Sequence, residues 1–156
     1  LGRQLGAALR RELGAHELER AAQRGGVDGA DLERERAGLA GDGGALMTGS
    51  EIATAVRENA NLAIFVSNNG HYGRIREHQE QSKPTRATGI NDLVNPDFAS
   101  YGEAFGAKGL RIRAPEEAGP VLEQALAHRG PVVVDVDSSL ENLSAQNTIS
   151  ELQAAE

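Results

Sequence analysis

Leu62-Ala63-Ile64-Phe65-Val66-Ser67, running straight into Asn68-Asn69-Gly70-His71, is the stretch that decides the fold. A short, unbroken apolar run bounded by a turn reads as a β-strand buried on both faces. Asn and Gly close it, because Asn bonds its own backbone in turns and Gly accepts backbone angles that other residues avoid. A strand buried above and below needs helices on both sides, the arrangement of a parallel sheet.

The flanking sequence supplies those helices. Residues 48–60 predict a helix, with Ile52, Ala55 and Val56 on one face and Thr48 or Ser50 to cap its start. Residues 72–81 read as a highly charged helix. Residues 82–96 hold Pro84, Gly89, Asn91, Asn95 and Pro96, a loop of the length often used as a lid or binding element. A helix follows at 97–105, with Asp97 near its start and Gly106 past its end, then a short strand at 110–113. Pro115 opens the next helix, 115–128, Gly130 stops it, and Val132-Val133-Val134 forms the core of a buried strand over 131–136. The alternation predicts an α/β fold: a Rossmann-like parallel sheet flanked by helices, with right-handed crossovers.

Upstream the texture differs. The first 40 residues are rich in Arg, Ala, Gly, Leu and Glu, and Val27 is their single β-branched aliphatic residue. Leu5, Ala8, Leu9 and Leu13 lie at helical spacing before Gly25-Gly26 interrupts. Three regions are expected: a helical appendage over 1–38, the α/β domain over 39–140, and a polar C-terminal tail over 141–156 draped on the surface.

Composition bounds what the chain can do. At 156 residues it suits one domain with a core, which 3% aromatics and no Trp leave to Ala, Val, Leu and Ile. No apolar run is long enough to span a membrane, and the N-terminus lacks the features of a signal peptide. With no cysteine, disulfides and thiolate metal sites are excluded, as suits a cytoplasmic protein. A net charge of −7 disfavours nucleic acid. Residues 1–40 hold seven Arg against seven Asp and Glu, so the acidic excess lies beyond them. An anionic ligand bound there needs a local device, either a metal ion or backbone amides.

Two segments look built for such a device, Gly41-Asp42-Gly43-Gly44 and Asn68-Asn69-Gly70-His71. In a parallel sheet, ligands sit at the C-terminal ends of strands, and both segments read as strand-end turns opening toward helices. Three glycines around one carboxylate let backbone amides approach a ligand, and the helix behind adds a positive dipole end. The second turn offers amide oxygens and an exposed carbonyl. These hard oxygen donors suit Mg2+, which takes a few protein ligands and completes its shell with phosphate oxygens and water.

Gly-Asp-Gly, 24 residues from Gly44 to Ser67, and then Asn-Asn resembles the thiamine diphosphate-binding motif of pyruvate decarboxylase and acetolactate synthase relatives. Further blocks are similar to the acetolactate-synthase-like group: NNGHYGRIREHQE at 68–80, DLVNPDF at 92–98, AFGAKG at 104–109 and GPVVVDV at 130–136. Together they cover about residues 39–140 in the right order. The resemblance implies that Asp42 and Asn69 bind Mg2+ by their side chains and His71 by its backbone carbonyl. It implies that Gly43 and Gly44 lie along the diphosphate of thiamine diphosphate, with Asn68 supporting the turn, and that Gly41 and Gly70 belong to the same cofactor-binding set; Tyr72 is placed at the mouth of the site. It further implies an enzyme, a lyase or transferase that decarboxylates or ligates a small 2-oxo acid or aldehyde at a site between subunits of a homo-oligomer. A pyrimidine-binding domain, earlier in the same polypeptide or on another subunit, would supply the activating glutamate. No segment here resembles that domain, so this chain is expected to carry no catalytic residue and to turn nothing over by itself.

One departure stands out. Members of that group carry a hydrophobic strand directly before the Gly-Asp-Gly turn, whereas this chain has Asp31-Leu32-Glu33-Arg34-Glu35-Arg36. Such charge density does not suit a central strand, so the sheet is expected to lack a proper first strand.

Plainer readings stand beside these. The His71 side chain is expected to be idle, Tyr72 serves equally as core filling, and Glu77 and His78 read as a solvated helix face. Lys83, Arg86 and Thr88 lie where a substrate would pass, yet polar residues suit any exposed loop. Two rival functions remain: a non-catalytic remnant serving as an interaction module, and a nucleotide binder using the Gly-Asp-Gly-Gly turn. The second lacks a GxGxxG after a strand and an acidic residue placed for a ribose.

Overall fold

The computed structural model describes residues 36–82, 91–141 and 148–154. Lys83, Arg86 and Thr88 fall outside the described residues, as does most of the 1–38 segment.

Four strands form one sheet: β1 (Arg36–Gly41), β2 (Leu62–Asn68), β3 (Lys108–Ile112) and β4 (Val132–Asp137). Their order is β1-β2-β4-β3, and every neighbouring pair is parallel. The helices are α1 (Asp42–Thr48), α2 (Ile52–Arg57), α3 (Gly73–Ser82), α4 (Phe98–Ala104), α5 (Ala118–Ala127) and α6 (Ile149–Ala154). Short 3-10 turns at Gly49–Glu51 and Pro115–Glu117 lead into α2 and α5.

β2 from Leu62 to Val66 and β4 from Val132 to Val134 are apolar because each strand has a core on both faces. On one side Ala63, Phe65, Val132, Val134 and Val136 pack with Ala118, Leu122 and Ala125 of α5. On the other, Val66 and Val133 pack with Ile52 of α2 and Phe98 of α4. Phe65 is fully enclosed, which contributes on the order of 2–3 kcal/mol from burial of its ring. Tyr101 meets both Phe98 and Phe105 edge-on, so three of the few aromatic residues cluster on α4 and its C-cap.

The helix ends follow local chemistry. The Asp97 carboxylate caps α4 by accepting from the Ser100 N–H at 2.7 Å. Gly106 ends that helix with φ +94°, a left-handed angle that costs a glycine little.

The expectation of a missing first strand is revised. Only Arg36 of the charged run is described, and the next five residues complete a strand leading into the turn, paired from Arg36↔Leu62 to Gly41↔Ser67. It is a strand of small residues. Ala37 is buried, while Leu39, its one large apolar side chain, is 54% exposed. Backbone pairing with β2 holds it where an apolar run would otherwise do so. The tail, expected to drape over the surface, contains a helix, α6, which docks on α3. A reciprocal cap fixes its start: the Glu151 N–H donates to Thr148 Oγ1 at 3.1 Å, and the Thr148 N–H donates to Glu151 Oε2 at 2.9 Å.

Candidate metal and cofactor site

β1 and β2 are adjacent and parallel, so their C-terminal ends deliver both turns to the same edge of the sheet. β1 ends at Gly41, and Asp42 is the first residue of α1. β2 ends at Asn68, and Gly70 turns the chain with φ +71°. The Asp42 carboxylate joins the two. Its Oδ2 accepts from the Gly70 N–H at 2.8 Å and the Asn69 N–H at 3.2 Å, while its Oδ1 accepts from the Gly43 N–H at 2.8 Å. Asp42 is only 3% exposed. A buried carboxylate is tolerated here because four N–H donors surround it, the fourth being Asn95 Nδ2 at 2.8 Å from Oδ2.

The oxygens that the resemblance singles out retain acceptor capacity. Among the described residues, Asp42 Oδ1 accepts one hydrogen bond, from Gly43. Asn69 Oδ1 accepts one, from the His71 N–H at 3.0 Å, and the His71 carbonyl accepts one, from the Gly73 N–H at 2.8 Å. Each such oxygen has a second lone pair. Among the described residues, no group of three or more His, Cys, Asp and Glu side chains is placed to hold a metal ion. A cation here would rest on a single carboxylate, an amide oxygen and a backbone carbonyl, a hard donor set that fits Mg2+ and leaves positive charge for an anion.

The glycines divide by role. A Cβ on Gly43 would come within 2.7 Å of two Tyr72 ring carbons, so that ring requires Gly43. Gly41 and Gly44 have nothing within 4 Å of the same position, and both are exposed, which leaves the backbone open to approach.

The His71 ring is engaged at both nitrogens. Nδ1 lies 2.9 Å from the Asn69 carbonyl oxygen, and Nε2 lies 2.9 Å from Asp92 Oδ1. The side chain therefore ties the turn to the segment after the long loop. Tyr72 and Leu93 reinforce this tie: the Tyr72 N–H donates to the Asn91 carbonyl at 2.9 Å, and the Leu93 N–H to the Gly70 carbonyl at 2.7 Å.

Sequence reasoning missed two residues of this site. Asn95 Nδ2 bridges Asp42 Oδ2 and Asn68 Oδ1, each at 2.8 Å. Asp135, 1% exposed in the centre of β4, takes Asn68 Nδ2 at 3.1 Å and the Phe98 N–H at 3.2 Å. The available signal was a carboxylate within an otherwise apolar strand, where a charge persists only when partners are provided. Glu77 also departs from expectation. It is 3% exposed rather than on a solvated face, and Arg74 Nη1 pairs with it. His78 is exposed, as expected.

Comparison with known proteins supports the same region. A family model described as thiamine pyrophosphate enzyme, C-terminal TPP binding domain, matches residues 3–136. The chain is 38% identical over 98 residues to acetolactate synthase of Bacillus subtilis, covering 63% of this chain and 17% of that protein. It is 34% identical over 107 residues to pyruvate oxidase of Lactiplantibacillus plantarum, covering 66% and 17%. Among solved structures, benzoylformate decarboxylase from Polynucleobacter necessarius aligns with a TM-score of 0.64 and 25% identity, over 88% of this chain and 23% of that one. The chain thus spans less than a quarter of the length of each of these relatives. Two strand-end turns joined through one carboxylate, within a sequence matched over residues 3–136, make this chain a member of the thiamine pyrophosphate enzyme family, from its C-terminal TPP-binding domain.

Proposed function

We propose that this chain binds Mg2+ and, through it, the diphosphate of thiamine diphosphate, as half of a site that a pyrimidine-binding domain completes. The observation that carries the reading is the Asp42 carboxylate, held between two turns with one oxygen still able to accept. Asp42 Oδ1, Asn69 Oδ1 and the His71 carbonyl would hold the cation. The open backbone at Gly41 and Gly44 would face the anion, with Gly43 and Gly70 shaping the two turns. Asn68 would support the second turn, and Tyr72 would close the site over Gly43.

When bound, thiamine diphosphate supplies an electron sink for breaking the carbon–carbon bond beside a carbonyl. The residues of this chain hold and orient the diphosphate end, and among them we assign no proton transfer. The whole enzyme would decarboxylate a 2-oxo acid, with or without ligation to a second carbonyl, and would work as a homo-oligomer whose subunits share the site. This chain alone would bind half of the cofactor without turnover.

Calorimetric titration of the chain with MgCl2, at a fixed concentration of thiamine diphosphate, tests the reading. Saturable heat is expected from the wild type, and at least tenfold weaker binding from Asp42→Asn, which keeps an acceptor but removes the charge. A folded wild-type chain that gives no heat would instead support the non-catalytic remnant.

A further inference from the structure

We propose that Asn95 is the positioning residue of this site, an amide whose orientation is dictated from Asp135 and which in turn dictates which oxygen of Asp42 faces the cation. The inference rests on the function proposed above.

The argument follows the polarity of three side chains. An ionised carboxylate only accepts hydrogen bonds, whereas an amide has one accepting and one donating end, told apart by its partners. Asp135 is buried, and Arg113 Nη2 approaches its Oδ2 at 3.2 Å. Its Oδ1 lies 3.1 Å from Asn68, so Asn68 must present its NH2 there and its oxygen to the far side. That oxygen lies 2.8 Å from Asn95, so Asn95 must present its NH2 as well. The same NH2 reaches Asp42 Oδ2 at 2.8 Å. Turning either amide over would set oxygen against oxygen, so the polarity runs one way from Asp135 to Asp42.

Two consequences follow. Asp42 Oδ2 is saturated by the Asn69 and Gly70 N–H groups and the Asn95 amide, which leaves Oδ1 as the oxygen with a lone pair to give. Asn95 Oδ1, meanwhile, is buried with no hydrogen-bond partner among the described residues. Native proteins rarely leave a buried acceptor unpaired, and such an exception calls for a missing donor. Mg2+ keeps part of its water shell when bound, so a water on the cation is a donor of the right chemistry. Asn95 would thereby contribute twice, by fixing the ligand carboxylate and by accepting from the hydrated ion.

The test is titration with MgCl2 at fixed thiamine diphosphate, monitored by calorimetry, for Asn95→Ala, Asn68→Ala and the double variant. Outer partners of metal ligands typically carry 10- to 100-fold in affinity. Asn95→Ala is expected to bind Mg2+ at least tenfold more weakly. Since Asn68 acts through Asn95, adding Asn68→Ala to Asn95→Ala should weaken binding less than twofold further. Independent structural roles would instead give losses that multiply, and that result overturns the relay. Mg2+ affinity of Asn95→Ala within twofold of the wild type overturns it too. Asn95→Ser, whose hydroxyl is too short to span both partners, is measured in its place if the alanine variant does not fold. No heat from the folded wild-type chain sinks the proposed function and this inference together. Heat from the wild type with unaltered variants sinks the inference alone.

Discussion

The Tyr72 ring lies against the Gly43 backbone so closely that a methyl group at residue 43 would come within 2.7 Å of two ring carbons. This contact packs the first turn against the residue that follows the second. Gly43→Ala is therefore expected to displace the ring and destabilise the domain by about 1–3 kcal/mol, the usual cost of overpacking. Urea unfolding measures it. Pairing the change with Tyr72→Ala should recover most of the loss, and an undiminished loss in the double variant would show that Tyr72 is not the obstacle.

A second close approach lies away from the turns. In α4, a Cβ on Gly102 would meet Val133 Cγ2 at 2.6 Å and Cβ at 2.7 Å, so the helix rests directly on β4. Gly102→Ala should cost about 1–3 kcal/mol through the same overpacking. Val133→Ala opens space at that point, and the double variant should be more stable than Gly102→Ala alone. Additive losses would indicate that α4 shifts as a body instead.

How much of this was legible beforehand depends on what kind of interaction holds each part. β2 and β4 were plain, because burial on both faces demands an unbroken apolar run, and Phe65-Val66 and Val133-Val134 supply it. The Asp42 turn was legible as a strand-end turn, and the resemblance of Gly-Asp-Gly and Asn-Asn to the family motif singled it out. β1 was not, because Ala37, Gly38 and Ala40 carry almost no hydrophobic signal and the strand is held by pairing with β2. Asn95 was hidden by its loop, where an asparagine before a proline looks like any turn residue. Only the fold brings it to Asp42, 53 residues away in sequence. Glu80 was hidden for the opposite reason: a charge in a charged helix looks solvated until its partners are known.

Those partners give the next prediction. Glu80 is completely buried, and its Oε1 receives Arg76 Nε at 2.8 Å and Nη2 at 2.7 Å. Its Oε2 receives Gln153 Nε2 at 3.3 Å, which fastens α6 to α3. Removing one member of a buried ion pair strands the other, at a typical cost of about 3–5 kcal/mol. Glu80→Ala should fall in that range and should also speed amide hydrogen exchange in α6. Gln153→Ala should speed exchange in α6 while costing only about 1 kcal/mol. Unchanged exchange in both variants would mean that α6 is held by other contacts.

Acid stability should report on Asp97. The Arg111 side chain holds its carboxyl well below the usual range, at about 2 against 3.8, with Ser100 adding to the effect and partial burial opposing it. The geometry is a fork, with Arg111 Nε at 2.8 Å from Oδ2 and Nη2 at 2.8 Å from Oδ1. A carboxyl whose pKa is lower in the folded state stabilises the protein above its unfolded value. That contribution is lost as the pH falls through the folded value. The window for this residue therefore runs from about pH 4 down to about pH 2. Its side chain is 36% exposed, so solvent screening reduces the stabilisation to about 1 kcal/mol or less. Asp97→Asn retains a side-chain oxygen to cap α4 but cannot ionise, so its stability should fall less steeply than that of the wild type across this window. Chemical unfolding at a series of pH values measures both slopes, and parallel curves would remove Asp97 from the acid transition.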